Sequence, residues 1–533
     1  MTAARIALRI LGSSAALALP LVAQPHLHRP SAEAALGTVH FPTSCAPAVS
    51  VPFDRAVALL HSFEFGASLR EFNAVLAADP GCAMAHWGLA MSHWSNPFAA
   101  GNRGPEQLQR GQASADAALR SAGRATERER GFIAAVGTLY AEHQRTDQPT
   151  RIAAYERAMA DLVERQPADT EARIFHALAL AATAPATDKT YDRQRRAGAT
   201  LEQLWIAQPN HPGLAHYIIH SYDVPALASQ AAAAAERYSQ IAPAAAHALH
   251  MPSHTFTRLG MWEESVRMNR RSAEAARVGG SLAEVLHASD YLTYAYLQMR
   301  REAPVRAILA ELPAIANRFD PRAVTGAAPG SAGVFALAAI PARYALERRA
   351  WADAAVLEPH PSAFAHADAM THFTRALGQV HLSRFDDARR SIDTLAALQQ
   401  RLLAARESYW AEQVSIQQQV ALAWLTLKEG RVDDALQAMR DAVSREDATE
   451  KNAVTPGPLA PARELLGDML MEVRRPAEAL VEYRRTLEKE PRRFRATDGA
   501  LRAATAARDR RAITEFTTAR ARLTSPARMR APK

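Results

Sequence analysis

The chain has 533 residues, 48% of them hydrophobic and 22% charged, with a formal net charge of +8. That composition is ordinary for a soluble globular protein, and no apolar run of membrane-spanning length follows the N-terminus, so no transmembrane segment is expected in the mature chain. The 63 Lys and Arg are interspersed with 55 Asp and Glu along the chain, which reads as solvated helix faces and argues against a nucleic-acid partner.

Residues 1–23 carry Arg5 and Arg9, then the apolar stretch Ile10 to Leu21, then Leu21-Val22-Ala23 before Gln24. This is the layout of a secretory signal peptide, and it predicts an exported, periplasmic or secreted protein. No cysteine follows closely, so no lipid anchor is expected. Residues 24–51 lack periodicity and read as an extended or disordered N-terminal segment. The two cysteines, Cys45 and Cys82, fit a disulfide in an oxidising compartment; two buried thiols are the equal alternative.

From residue 52 onward the pattern is one of helix pairs. Phe72 with Pro80 closes one unit and Cys82-Ala83-Met84-Ala85-His86-Trp87-Gly88 opens the next. Met84, Trp87, Met91 and Trp94 form an apolar face there, which either packs against the N-terminal segment or holds an apolar ligand group. The repeats run through 52–323, an irregular Gly- and Pro-containing stretch follows to Gly333, and 334–524 continues the same frame; 525–533 reads as a basic tail.

The clearest unit lies in that second stretch, where Leu466-Gly467, Leu470, Ala479, Tyr483 and Pro491 stand at tetratricopeptide offsets. Small residues let two antiparallel helices approach, the tyrosine fills the space beside them, and the proline stops the second helix. The expected fold is an all-α, tetratricopeptide-like (TPR-like) α-solenoid, a right-handed superhelix of antiparallel helix pairs.

Candidate chemistry gathers between His211 and His287. His216 and His220 recur as His250 and His254 at the tetratricopeptide period of about 34 residues, so equivalent positions of adjacent repeats carry them. The repeat frame places His216, His220 and Asp223 on one first helix, His247, His250 and His254 with Arg258 on the next, and His287, Asp290 and Tyr294 on the third. All face one concave groove. An i, i+4 histidine pair is also the geometry of helix-borne zinc sites. Pro252 should break the helix between His250 and His254 and so aim the two rings. A second group, His360, His366, His372 and His381, does not keep the period and reads as packed or solvated.

The runs His211-Pro212-Gly213-Leu214-Ala215-His216-Tyr217-Ile218-Ile219-His220, His250-Met251-Pro252-Ser253-His254 and Arg258-Leu259-Gly260 resemble a family of bacterial exported TPR proteins of uncharacterised function. Asp79-Pro80-Gly81-Cys82-Ala83-Met84-Ala85 shares that resemblance. It implies the fold, export and a shared histidine-lined segment, and no reaction. Ser265 and Asn269 depart from the generic repeat, which has alanine and a large aromatic there.

Two functional readings follow. The first is a scaffold that holds a peptide or protein partner in the histidine-lined groove, with or without a zinc, copper or iron ion on His216, His220, His250 and His254, and with Asp290 or His287 as further ligands. The alternative is a metal-dependent enzyme using the same histidines. No nucleophile, phosphate loop or H-E-x-x-H motif assigns a catalytic residue.

Overall fold

A computed structural model describes residues 36–99 and 102–525, so the expected signal segment and all but Ser525 of the expected tail lie outside the described residues. The described residues are all-helical and form a TPR-like α-solenoid, from Ser50–His61 to Arg510–Thr524. Successive helices pack antiparallel through small residues. An added Cβ on Gly88 would lie 2.2 Å from the Phe72 ring, and one on Gly467 would lie 2.8 Å from Tyr483, so these notches set how closely each pair approaches.

The N-terminal segment is extended from residue 36 onward, but it is ordered and built into the core. Phe41 is 2% exposed and packs on Trp87 and Phe132, with ring centroids 5.4 and 5.3 Å away. The apolar Met84, Trp87, Met91 and Trp94 face is therefore buried by the chain itself. Backbone amides of Phe41, Ser44 and Ala46 donate to Asp54, Glu129 and Asp79, and Cys45 is bonded to Cys82.

The apolar core falls into two main bodies, one drawn from Leu36 to Met268 together with Ala327 and one beginning at Ala283. The stretch 324–333 does not separate them. The Gly66 amide donates to the Thr325 carbonyl, Ala327 belongs to the first core, and a new helix already begins at Gly330. The superhelix also winds back on itself: Trp262 Nε1 donates to the Arg492 carbonyl at 3.1 Å, and the Pro491 carbonyl lies 2.5 Å from where a Gly260 Cβ would stand.

The connection between the helices Val432–Asp447 and Ala462–Glu472 runs through the interior of this closed superhelix. The Glu450 amide donates to the Ala186 carbonyl at 2.9 Å, Tyr291 donates to the Ala453 carbonyl at 3.2 Å, and Arg343 donates to Thr455, Gly457 and Pro458. This strap fills space that an open solenoid would leave to a ligand. Among the described residues no helix is long and apolar enough to cross a membrane.

Candidate metal centre

Three helical segments bring the histidines together: Pro212–Ser221, the broken pair Ala246–His250 and Pro252–Arg258, and Leu282–Gln298. The break falls where Pro252 lacks an amide for the Ala248 carbonyl. His216, His220, His247, His250, His254 and His287 converge, each at most 8% exposed. The expected open groove is thus corrected to an enclosed centre. Phe98 stacks on His220 with ring centroids 4.2 Å apart, while residues 327–329 and the strap residues Ala453 and Val454 close the remaining side.

Three other expected site residues point elsewhere. Asp290 is held by Arg343 at 2.7 Å, so its carboxylate is committed and is not a ligand for the histidine cluster. Tyr294 lies 3.3 Å from both Glu490 and Arg493, also away from the cluster. Arg258 grips Asp223 through both the carboxylate and the backbone carbonyl, and Lys451 of the strap approaches the same carboxylate at 3.5 Å. Asp223 and Arg258 act behind the histidines and not beside them.

The hydrogen bonds fix which ring nitrogens carry protons. Asn269 donates its amide to the Ser265 carbonyl at 2.8 Å, so its Oδ1, 2.7 Å from His250 Nδ1, must accept, and His250 is protonated on Nδ1. His254 Nδ1 lies 2.9 Å from Asp223 Oδ2. Burial pushes the Asp223 carboxyl up, but Lys451 and Arg258 hold it well below the usual range, so His254 also carries its proton on Nδ1. The two Nε2 atoms then face each other at 3.0 Å as two lone pairs. A proton shared between them would need a cationic ring, and burial drives both imidazoles toward the neutral form.

A second set repeats this logic. His216 Nδ1 donates to the His61 carbonyl at 2.7 Å, which leaves its Nε2 lone pair 3.1 Å from His247 Nε2. If His247 places its proton there, its Nδ1 becomes a buried acceptor with no hydrogen-bond partner; His220 Nε2 is buried and unpartnered as well. Burial holds His216 and His287 at about 3. Neutral imidazoles with outward Nδ1 donors and inward Nε2 lone pairs are the arrangement in which histidine binds transition metals. One ligand nitrogen from each of His216, His220 and His247 lies within 4.8 Å of the others, and the same holds for His250, His254 and His287.

Sequence reasoning missed a neighbouring buried network. Glu171 accepts from His61 at 2.9 Å and His211 at 3.0 Å, and His61 Nδ1 meets the Tyr217 hydroxyl at 3.0 Å. It also missed Glu64 and Glu284, which lie against His247. Their separation in sequence hides them, whereas Asn269 was visible as a departure from the repeat pattern. The second histidine group does not converge: His366 stacks on Trp410 and His381 on Trp351.

No family model matches the chain, and no curated protein matches it. Among solved structures, the human IFIT1 dimer with m7Gppp-AAAA is similar over 83% of this chain and 90% of its own, at 11% identity and a TM-score of 0.37. The APC/C hetero-tetramer Cut9-Hcn1 is similar over 85% and 76%, at 12% identity and 0.35. The P58(IPK) TPR domain is similar over 86% and 98%, at 10% identity and 0.22. Scores this low leave the reading to the chain's own residues.

Proposed function

We propose that this chain is an exported TPR-like scaffold protein built around a buried transition-metal site. The observation that carries this reading is the pair of facing lone pairs on His250 and His254, 3.0 Å apart, with both Nδ1 protons committed to Asn269 and Asp223. A cation between them turns a repulsive contact into two coordinate bonds. Imidazole-only donors suit zinc, copper and iron, and the thiolates that would redirect the choice are absent, since Cys45 and Cys82 are bonded to each other. That bond and the signal-like N-terminus support export.

TPR-like folds in general hold peptide or protein segments. A partner reaching these histidines would have to displace the strap, so partner binding is assigned to surfaces outside the centre. The enzyme reading has one observation in its favour: a cavity of about 30 Å³ is bordered by His220, His247, His254 and His287, room enough for a water-sized ligand.

The test is elemental analysis of the full chain, made without an affinity tag and recovered from the periplasm of a Gram-negative host, beside a His250→Gln/His254→Gln variant. Zinc, copper or iron near or above one equivalent, reduced in the variant, supports the reading. Metal-free wild type that also fails to take up added Zn²⁺ or Cu²⁺ would overturn it.

A further inference from the structure

We infer that the centre is binuclear, with one ion held by His216, His220 and His247 and a second by His250, His254 and His287. This rests on the metal-site reading above and adds its stoichiometry, its ligand assignment and the class of molecule it would bind.

Six imidazoles are more than one tetrahedral ion employs. Among these six, the groups whose ligand atoms lie within 4.8 Å of one another are the two sets of three. Each set contains one close nitrogen pair, 3.1 Å for His216 and His247 and 3.0 Å for His250 and His254. These are short edges for a coordination shell with metal–nitrogen bonds of about 2.0–2.1 Å, and the edges need only open slightly.

The sets abut without merging. Across the boundary, the His247 and His250 rings are 5.9 Å apart and the His220 and His254 rings 6.1 Å apart, no farther than the widest ring separations inside each set, 6.3 and 6.4 Å, so the ligand nitrogens and not the ring centres divide the cluster. Each set provides three protein ligands and so leaves a coordination position free, as in catalytic metal sites and not structural ones. The cavity of about 30 Å³ is bordered by His220 and His247 from one set and His254 and His287 from the other. The cavity thus borders both sets. Its size selects a small bridging ligand, such as water, hydroxide or a diatomic molecule.

The charge arrangement agrees. Imidazoles bring no negative counter-charge, and three carboxylates lie against them. Asp223 is bonded to His254, Glu64 accepts from the His247 amide at 3.3 Å, and Glu284 lies 4.0 Å from His247 Nδ1 with Oε2 buried and without a hydrogen-bond partner. Asp223 is already paired with Arg258 and Lys451, whereas a cation beside His247 would favour the ionised carboxylates of Glu64 and Glu284. Among first-row divalent ions, an all-imidazole set binds copper most strongly by the Irving–Williams order.

The experiment is equilibrium titration of the metal-stripped full chain with Zn²⁺ and, separately, Cu²⁺ against a chromophoric chelator, with bound metal counted after gel filtration. Wild type is expected to hold two equivalents. His216→Gln/His220→Gln and His254→Gln/His287→Gln should each hold one, and the combined variant none. One equivalent in wild type, lost in either double variant, would mean one ion shared by the six rings and would overturn the binuclear assignment while leaving the metal site standing. No bound metal would sink the metal-site reading itself. Should a variant fail to fold, the wild-type count of two against one still decides.

Discussion

Replacing Arg343 with methionine should destabilise the whole chain and loosen the strap over the histidines. Arg343 and Asp290 are both 0% exposed, and the guanidinium donates to Asp290 at 2.7 and 3.4 Å. Removing one partner leaves a buried carboxylate uncompensated, which costs about 3–5 kcal/mol. The same side chain donates to Thr455 at 2.7 Å, Gly457 at 2.9 Å and Pro458 at 3.2 Å, so strap amides should lose protection beyond the global change. Urea unfolding with hydrogen exchange resolved to residues 450–458 measures both effects, and Asp290→Asn in the Arg343→Met background should recover part of the loss. A change below about 1 kcal/mol with strap exchange at the wild-type rate would show that Arg343 neither compensates Asp290 nor holds the strap.

Three further outcomes are expected. Cys45→Ser should lower stability by about 4 kcal/mol, the loop-entropy value for the 37-residue separation closed by the bridge, read as the unfolding midpoint under non-reducing conditions. Asn269→Leu removes the acceptor that fixes His250 Nδ1 and should weaken metal affinity by about 10–100-fold while leaving the helical circular dichroism unchanged. Burial pushes the Asp468 carboxyl up, but Arg495, Arg349 and Tyr483 hold it at about 2. Its contribution is therefore complete above the unfolded-state value near 3.8 and is lost as pH falls through about 2. Asp468→Asn should cost about 2 kcal/mol at pH 7 and progressively less below pH 4, as followed by unfolding at a series of pH values.

The helix pairs and the histidine convergence were legible because both depend on local periodicity. Gly467 with Tyr483 and His216/His220 with His250/His254 each state a helix-face position within one or two repeats. The openness of the groove was not legible. Strap residues Lys451 and Thr455 meet partners at Asp223 and Arg343, and no local spacing encodes contacts across more than a hundred residues. The same holds for His61 and Glu171, drawn from different helix pairs. Asp290 shows the converse limit: the repeat frame put it with the histidines, but the guanidinium that captures it comes from the later helix Gly330–Glu347. Asn269 is the instructive case, since it stands out in the sequence only as a departure from the repeat, and in the fold it orients a ring.

X-ray absorption spectroscopy on the full chain loaded with Cu²⁺ or Zn²⁺ tests the histidine metal site most directly. The loaded protein should show a first shell of nitrogen and oxygen at about 2.0–2.1 Å with the outer-shell scattering of several imidazoles and no sulfur, and the combined histidine variant should lose that imidazole signature. A shell of water and carboxylate oxygen without imidazole scattering, or a spectrum unchanged in that variant, would contradict it.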